Sequence, residues 1–286
     1  MNTIVITGAT SGIGLESARI LARNGHQILG VGHCKANCDK AKTTLLADNP
    51  DAKVTFFMAD LMQQREVLRF AEEIRSYLGE HCEGKLYALI NNAGCTRSWY
   101  MTTDEGYEQQ FALNYLAGFL LTHELLPYLK AANGRVIMTS SKSHKGIKVH
   151  WDDVMLRRGY SPLTAYKQSK LCDLLFAKGL NDRYSDVGIH AYGVDPGLVN
   201  TDIGNKGTGA LVNFIWKLRK RHGVSPTIPA KTYAHLCEQE PAPQGLYYGL
   251  CKERVYSKEV TSENANRLFA LSARLCGITF GKENEG

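Results

Sequence analysis

The sequence predicts an α/β protein in which a doubly wound parallel sheet is flanked by helices. Short β-branched and apolar runs alternate with stretches of helical spacing, a pattern that implies right-handed crossovers between parallel strands. The first of these runs leads into a glycine-rich turn, and polar residues follow several of the others. The 286 residues, 44% of them hydrophobic, can bury a large core, so we expect a single domain over 1–286.

The first strand is predicted at 3–7, and a helix follows over 15–24. The turn between them is rich in glycine, which lets a backbone approach a pyrophosphate closely at the start of a helix. An ordinary glycine-rich turn is the alternative, but the strand–turn–helix context favours cofactor binding. The turn residues predicted to bind the cofactor are Gly8, Thr10, Ser11, Gly12, Ile13 and Gly14.

The second strand, predicted at 27–32, ends where dinucleotide folds meet the adenosine ribose. An acidic residue at this point selects the free 2′-hydroxyl of NAD. Here His33 and Lys35 follow the strand, and no acid occurs before Asp39. We therefore expect NADP to be favoured, with NAD as the alternative, because neither His33 nor Lys35 offers the bidentate grip of arginine.

Polar residues also follow the third and fourth predicted strands. Asp60, beside Leu61, either caps the next helix or accepts a hydrogen bond from an adenine amino group. Adjacent amides at Asn91 and Asn92 are costly after a buried strand unless they are hydrogen-bonded, so a structural and cofactor-lining role is favoured for this turn, including Ala93 and Gly94. The elements predicted here are a helix over 36–47, a strand over 53–58, a helix over 63–77 and a strand over 86–90.

In the second half, Thr102 or Thr103 is expected to cap a long helix that carries Asn114, although an asparagine inside a helix is more often a surface residue. Ser141 follows the fifth strand, and Pro196 and Gly197 follow the sixth. The elements predicted here are the helix to about 130, a strand over 135–139, a helix opening at Ser161-Pro162, a strand over 188–194, and helices over 226–238 and 262–275.

Tyr166 and Lys170 are spaced so that they share one face of the helix opened by Pro162. An ammonium favours the phenolate form of a nearby tyrosine, which can then exchange a proton with an alcohol or ketone oxygen. By itself the spacing is common, and a half-buried tyrosine beside a solvated lysine is the alternative. Ligands of parallel sheets bind beyond the carboxyl ends of the strands. Several motif residues are predicted at those ends, and their convergence favours the catalytic interpretation of Tyr166 and Lys170. The residues predicted at those ends are Gly8, Asp60, Asn91, Ser141 and Pro196.

Together these motifs resemble the short-chain dehydrogenase/reductase family over nearly the whole chain. They are Thr7-Gly8-x-x-x-Gly12-Ile13-Gly14, Asn91-Asn92-Ala93-Gly94, the ordered set Asn114, Ser141, Tyr166 and Lys170, and Pro196-Gly197 with Thr201. Within the family the chain is most similar to the retinol-dehydrogenase-like and protochlorophyllide-reductase-like branch. The stretches that indicate this branch include Thr103-Asp104-Glu105-Gly106-Tyr107-Glu108, Phe119-Leu120-Leu121-Thr122, Ser140-Ser141-x-x-His144, Gln168-Ser169-Lys170-Leu171 and Gly245-Leu246-Tyr247-Tyr248.

The chain also departs from that branch. His33 stands where the branch usually has arginine, and Tyr115-Leu116-Ala117-Gly118 differs from its usual pattern. The N-terminal anchor of the microsomal members is not found, and no apolar run approaches the ~20 residues of a membrane-spanning helix. We therefore expect a cytoplasmic location.

The resemblance implies a role for each matching residue. Tyr166 is the general acid/base, and Lys170 favours its ionised form while holding the nicotinamide ribose. Ser141 hydrogen-bonds the reacting oxygen, and Asn114 holds a water that links Lys170 to solvent. The nicotinamide lies beside Pro196, Gly197, Val199 and Thr201.

The stretch 202–224 is expected to form a substrate lid, because in this family the segment covers the substrate. Its apolar helix over 210–222 suggests an apolar ligand, with a membrane contact or a partner subunit as alternatives. The net charge of +6 comes without a broad basic face, so nucleic-acid binding is not expected. The eight cysteines form no zinc-binding pattern, so free thiols and no metal are expected.

The expected activity is the NADP-preferring interconversion of an alcohol and a carbonyl on an apolar small molecule, in a possible homo-oligomer. Reduction of a carbon–carbon double bond is the alternative among enzymes. A catalytically idle dinucleotide sensor or scaffold is the alternative of another class, although the intact set of four catalytic residues argues against it.

Overall fold

The computed structural model describes residues 1–199 and 223–279. One sheet runs through this part of the chain in the order β3-β2-β1-β4-β5-β6-β7-β8, parallel except for the antiparallel β7–β8 pair. The strands are β1 (Thr3–Thr7), β2 (Gln27–Gly32), β3 (Val54–Met58), β4 (Ala88–Asn91), β5 (Arg135–Thr139), β6 (His190–Val194), β7 (Tyr247–Gly249) and β8 (Lys252–Glu253). The predicted doubly wound α/β fold is confirmed.

Helices cover both faces of the sheet. They are α1 (Gly12–Arg23), α2 (Lys35–Asp48), α3 (Gln64–His81), α4 (Gln109–Phe111), α5 (Ala117–Lys130), α6 (Pro162–Tyr184), α7 (Thr227–Glu238) and α8 (Ser262–Cys276). Among residues 1–199 and 223–279, no helix combines the length and the apolar character needed to cross a bilayer.

β1, an interior strand of the sheet, is buried on both faces, which explains its unbroken run of apolar and β-branched residues. Ile4 and Ile6 point to one side and join the core cluster that contains Tyr233 of α7. Val5 points to the other side and joins the cluster that contains Phe176 of α6. Strand alternation therefore divides the core between two helical layers.

The order in which strands are added to the sheet reverses between β1 and β4, which are parallel neighbours. Their register pairs Ile4 with Ala88 and Ile6 with Ile90, so the turn after Thr7 lies beside the turn after Asn91. A crevice at such a switch point is the usual ligand site of this architecture.

The predicted helix from Thr102 or Thr103 to about 130 was wrong at its start and in its continuity. Thr102 instead forms an antiparallel bridge with Glu108, whose carboxylate accepts hydrogen bonds from two main-chain N–H groups of α4. A π-helical turn, Ala112–Leu116, then separates α4 from α5. Glu108 is the actual N-cap, which its sequence neighbours did not reveal.

The opening of α6 agrees with the prediction, because Ser161 accepts a hydrogen bond from the N–H of Thr164 and Pro162 is the first helical residue. β7 and β8 were not predicted. They span 3 and 2 residues, too few to show strand periodicity in a sequence.

Candidate active site

The glycine-rich turn brings the start of α1 close to the end of β1. Gly8 and Gly12 have positive φ angles of 67° and 55°, a region that glycine enters without strain. A Cβ atom on Gly14 would lie 2.3 Å from the carbonyl oxygen of Gly8, so only glycine permits this packing. Ser11 occupies the N-cap position of α1 but makes no side-chain cap bond there, which leaves the first-turn N–H groups to a ligand.

The turn after β4 is hydrogen-bonded to the end of β1. The Thr7 hydroxyl accepts from the main-chain N–H groups of Asn92 and Ala93, at 2.9 and 3.0 Å. The Asn92 amide donates to the Thr7 carbonyl at 3.1 Å, and the Asn91 amide donates to the Thr122 hydroxyl at 3.3 Å. The structure thus gives each amide nitrogen a partner, whereas the Asn91 amide oxygen is buried without one among the described residues. A cofactor contact by Asn91, Ala93 and Gly94 stays a prediction.

Asn114 lies in the π-helical turn and is buried, with 6% exposure, so the surface alternative is wrong. Its amide donates to the Cys95 carbonyl at 3.1 Å and to the Ser169 hydroxyl at 3.0 Å, and its oxygen accepts from the Cys95 N–H at 2.7 Å. Both amide hydrogens are therefore used within the protein. A water held by Asn114 would have to bind the main chain or the remaining lone pair of the side-chain oxygen.

Ser141 lies two residues after the end of β5 and is the N-cap of a 3₁₀ turn, Lys142–His144. Its oxygen accepts from the Ser143 N–H at 3.2 Å and from the Ser143 hydroxyl at 2.9 Å. A hydroxyl has two lone pairs and one hydrogen, so these bonds leave the Ser141 hydrogen to be donated elsewhere. A reacting carbonyl oxygen would be a suitable acceptor.

His144 holds this serine turn in place, and residue chemistry in the sequence gave no reason to single it out. Its Nε2 accepts from the Ser257 N–H at 3.1 Å, so Nδ1 carries the hydrogen and donates to the Ser141 carbonyl at 2.6 Å. Burial lowers the pKa of His144, which keeps the ring neutral and this tautomer in place at neutral pH. The serine–serine–x–x–histidine pattern was the signal in the sequence, but its partner lies 113 residues away.

Tyr166 and Lys170 lie together on α6, with the Lys170 ammonium 5.8 Å from the centre of the Tyr166 ring. The lysine side chain is 7% exposed, so the alternative of a solvated lysine is wrong. The ammonium donates to the Thr139 carbonyl at 2.7 Å and to Asp173 at 3.0 Å. Burial lowers the pKa of Lys170, but the charge of Asp173, the neighbouring Tyr166 and the hydrogen bond to Asp173 together outweigh that effect, so the net direction is upward.

The residues predicted at the adenosine end are exposed. His33 is open to solvent, and the Lys35 side chain, 80% exposed, pairs with Asp39 at 2.8 Å. Asp60 accepts from the N–H of Met62 at 3.1 Å. The prediction that Asp60 caps the next helix was wrong, because Gln63 is the N-cap of α3 and the Asp60 carboxylate instead closes a turn with Met62.

The segment after β6 carries the residues predicted beside the nicotinamide. Gly197 has a φ of 71° and donates its N–H to Asp195 at 3.0 Å. Val199 forms a parallel bridge with Val224. Pro196, Gly197 and Val199 therefore lie at the carboxyl edge of the sheet, whereas Thr201 and the predicted lid helix over 210–222 lie outside the described residues.

No group of three or more histidine, cysteine or carboxylate side chains is placed to hold a metal within 1–199 and 223–279. The eight cysteines are free thiols.

The fold and these residues define a dinucleotide-binding oxidoreductase architecture. The profile of the family described as short chain dehydrogenase matches residues 2–209. The chain therefore belongs to the short-chain dehydrogenase family, as the resemblance predicted.

Among curated proteins the chain is similar to retinol dehydrogenases. It is 36% identical to retinol dehydrogenase 12 of Mus musculus over 279 residues, which cover 96% of this chain and 86% of that protein. It is 34% identical to retinol dehydrogenase 13 of Homo sapiens over 290 residues, which cover 96% and 85%. These relatives place the chain in the retinol-dehydrogenase-like branch.

Solved structures agree on the fold. A putative uncharacterized protein from Mycobacterium paratuberculosis superposes with a TM-score of 0.75 at 28% identity, covering 98% of this chain and 95% of that one. A metagenomic short-chain oxidoreductase in complex with NADP superposes with a TM-score of 0.65 at 20% identity, covering 87% and 96%.

Proposed function

We propose that this protein is an NADP-preferring oxidoreductase that interconverts an alcohol and a carbonyl group on an apolar small molecule. The observation that carries the proposal is the buried Lys170 ammonium beside the partly exposed ring of Tyr166. A fixed positive charge next to a phenol stabilises the phenolate, which makes the tyrosine an effective proton donor and acceptor.

We infer that the turns after β1 and β4 would hold the dinucleotide. A Cβ atom on Gly8 would lie 3.1 Å from the Cα atom of Ala93, so the absence of a side chain lets the backbones of the two turns approach closely. The first-turn N–H groups of α1 would hold the pyrophosphate, and Pro196 to Val199 would lie beside the nicotinamide. Thr139 and Asp173 take two hydrogens of the Lys170 ammonium, and the third would bind the ribose hydroxyls.

The nicotinamide, when bound, supplies the hydride; the protein supplies position and the proton. In the reducing direction Tyr166 donates its hydroxyl proton to the carbonyl oxygen of the substrate. Ser141 donates its remaining hydrogen to the same oxygen, and Lys170 stabilises the phenolate that forms. In the oxidising direction the proton returns from the alcohol to Tyr166. Asn114 supports the site by fixing Ser169, one residue before Lys170.

The substrate is proposed to be apolar, because apolar side chains are exposed beside the nicotinamide segment. Leu198, Val224 and Ile228 are 47%, 39% and 41% exposed. The N–H of Val224 donates to the Leu198 carbonyl at 2.9 Å, so two of the three lie side by side. The similarity to retinol dehydrogenases supports the same substrate class. A cytoplasmic location and a homo-oligomer remain predictions from the sequence.

The proposal is tested by following NADPH oxidation with apolar aldehydes, ketones, quinones and enones, beside Tyr166→Phe. We expect the wild type to reduce the carbonyl group, and the variant to bind NADPH but lose roughly 10²–10⁴-fold in rate. Tyr184→Phe is the matched control, since Tyr184 ends the same helix with its ring 5.3 Å from the Lys130 ammonium. Tight cofactor binding without any turnover that depends on Tyr166 would contradict the proposal.

The cofactor preference needs its own measurement. Fluorescence titration of the protein with NADPH and with NADH should give tighter binding of NADPH. Equal affinities, or tighter binding of NADH, would overturn the interpretation of His33 and Lys35 without affecting the proposed chemistry.

A further inference from the structure

A second ionisable group lies beneath the catalytic pair and has no part in the mechanism above. Asp173 is one turn after Lys170 on α6, and its Oδ2 accepts from the Lys170 ammonium at 3.0 Å. The Asp173 side chain is 0% exposed and that of Lys170 is 7% exposed. The other carboxylate oxygen, Oδ1, has no hydrogen-bond partner among the described residues. A buried charge that is only partly hydrogen-bonded is costly, so it requires an explanation.

The groups around Asp173 leave Lys170 as its counter-charge in the described part of the chain. Cys172 on the same helix, Tyr115 from the π-helical turn and Tyr233 from α7 are the other titratable neighbours. Burial raises the pKa of all three, so each is neutral near pH 7. Burial also raises the pKa of Asp173, to about 7, although Lys170 opposes this shift.

Lysine and aspartate depend on each other in this environment. A buried amine without a counter-charge tends to release its proton, and a neutral amine would not stabilise a phenolate. The ammonium also has two fixed acceptors, the Thr139 carbonyl and Asp173. Those two bonds define where its nitrogen lies and leave one hydrogen for a ligand.

We propose that Asp173 is a positioning residue, whose carboxylate keeps the Lys170 ammonium protonated and fixed beside Tyr166 above neutral pH. The inference rests on the proposed function for its kinetic consequence, but the ion pair itself is a property of the protein without cofactor. Asp173 is not one of the four predicted catalytic residues, so the proposal gives a role to a further side chain.

The first experiment compares pH profiles of kcat/KM for alcohol oxidation in the wild type, Asp173→Asn and Asp173→Glu. In Asp173→Asn, Lys170 loses its counter-charge, so we expect the alkaline limb to move to lower pH by about one unit or more. Asp173→Glu keeps the charge and should restore the limb. Asp182→Asn is the matched control, because Asp182 pairs with Lys178 on the same helix near its exposed end.

A purely structural role would lower kcat in Asp173→Asn without moving the alkaline limb, and that result would overturn the inference. If the wild type shows no turnover that depends on Tyr166, the proposed function fails instead. The two failures are therefore distinguishable.

The second experiment needs no activity, and it applies even if Asp173→Asn does not fold. Thermal unfolding at pH 8 without cofactor is measured for Lys170→Met and for Lys170→Met/Asp173→Asn. The single variant leaves a carboxylate buried without its partner, so we expect the double variant to unfold several degrees higher. A double variant no more stable than the single one would contradict the pairing.

Discussion

The two ends of the proposed cofactor groove are built differently. At the catalytic end, Lys170 and Asn114 are buried, and each is held by protein contacts at two or more positions. At the adenosine end, Lys35 and Asp39 are 80% and 63% exposed and pair with each other in solvent. Charges act strongly where water is excluded and weakly where water and salt screen them. We therefore expect the buried groups to fix the proposed chemistry, and the exposed groups, which are easily changed, to set the cofactor preference.

The largest effect that would test this difference is expected at the catalytic end. Ser141→Ala removes the hydrogen donated to the reacting oxygen, and we expect kcat to fall roughly 10²–10³-fold with cofactor affinity retained. Ser143→Ala removes one of the two bonds that orient Ser141, so its effect should be clearly smaller. Steady-state kinetics and NADPH titration on both variants provide the measurement. Equal losses in the two variants would contradict the role given to the Ser141 hydrogen.

The next largest effect is expected in the glycine-rich turn, where close packing leaves no room for a side chain. A Cβ atom at Gly14 would lie 2.3 Å from the Gly8 carbonyl oxygen and 2.6 Å from the Asn92 amide nitrogen. Gly14→Ala should therefore lower the free energy of unfolding by about 1–3 kcal/mol and weaken cofactor binding.

Gly79→Ala is the control for this packing effect, because a Cβ atom there would meet nothing within 4 Å. Gly79 lies in the last turn of α3, where alanine is the better helix former, so this substitution should stabilise the protein slightly, by at most about 0.5–1 kcal/mol. Urea unfolding and fluorescence titration of both variants measure the contrast. Similar losses at Gly14 and Gly79 would show that the contacts at Gly14 are not limiting.

The pH dependence of stability separates a buried carboxylate from an exposed one. Burial raises the pKa of Asp173 from 3.8 to about 7, so the folded protein holds a proton that the unfolded chain releases. The stability from this proton is fully present below pH 3.8 and is lost as the pH rises to about 7. Relative to Asp173→Asn, the wild type should lose stability from pH 4 to 7 and then show a constant difference.

Urea unfolding of the cofactor-free protein between pH 4 and 8 measures how the stability difference between the two proteins changes with pH. Asp39→Asn is the control, because solvent already surrounds that carboxylate, and it should show no comparable change. A stability difference between the wild type and Asp173→Asn that does not vary with pH would contradict the burial of a titrating group.

The smallest effect is expected at the adenosine end. Asp39→Asn removes the carboxylate that pairs with Lys35, which frees the ammonium for a 2′-phosphate. We expect the preference for NADPH over NADH to rise roughly two- to five-fold at low salt and to return towards the wild-type value at high salt. Lys35→Gln should shift the preference the other way. Binding titrations with NADPH and NADH at two salt concentrations measure this preference. A change in preference that does not depend on salt would contradict an exposed electrostatic contact and indicate a buried one.

The sequence determined those features that depend on neighbouring residues. The apolar run of β1 predicted a strand buried on both faces, and Ser161-Pro162 predicted the start of α6. The spacing of Tyr166 and Lys170 placed them on one helical face. Steric limits on glycine, capping by serine and the period of a helix are local, so they can be read without knowing the rest of the fold.

The tertiary structure decided which polar groups are buried and what they contact. Asn114 lies in the site because its amide meets Cys95 and Ser169, 19 and 55 residues away. His144 holds the serine turn through Ser257, in a segment near the other end of the chain. In the sequence Asp173 is indistinguishable from an ordinary helical carboxylate, and only the packing of the fold buries it beside Lys170. Desolvation and long-range hydrogen bonds depend on how distant segments come together, and no local pattern in the sequence encodes that arrangement.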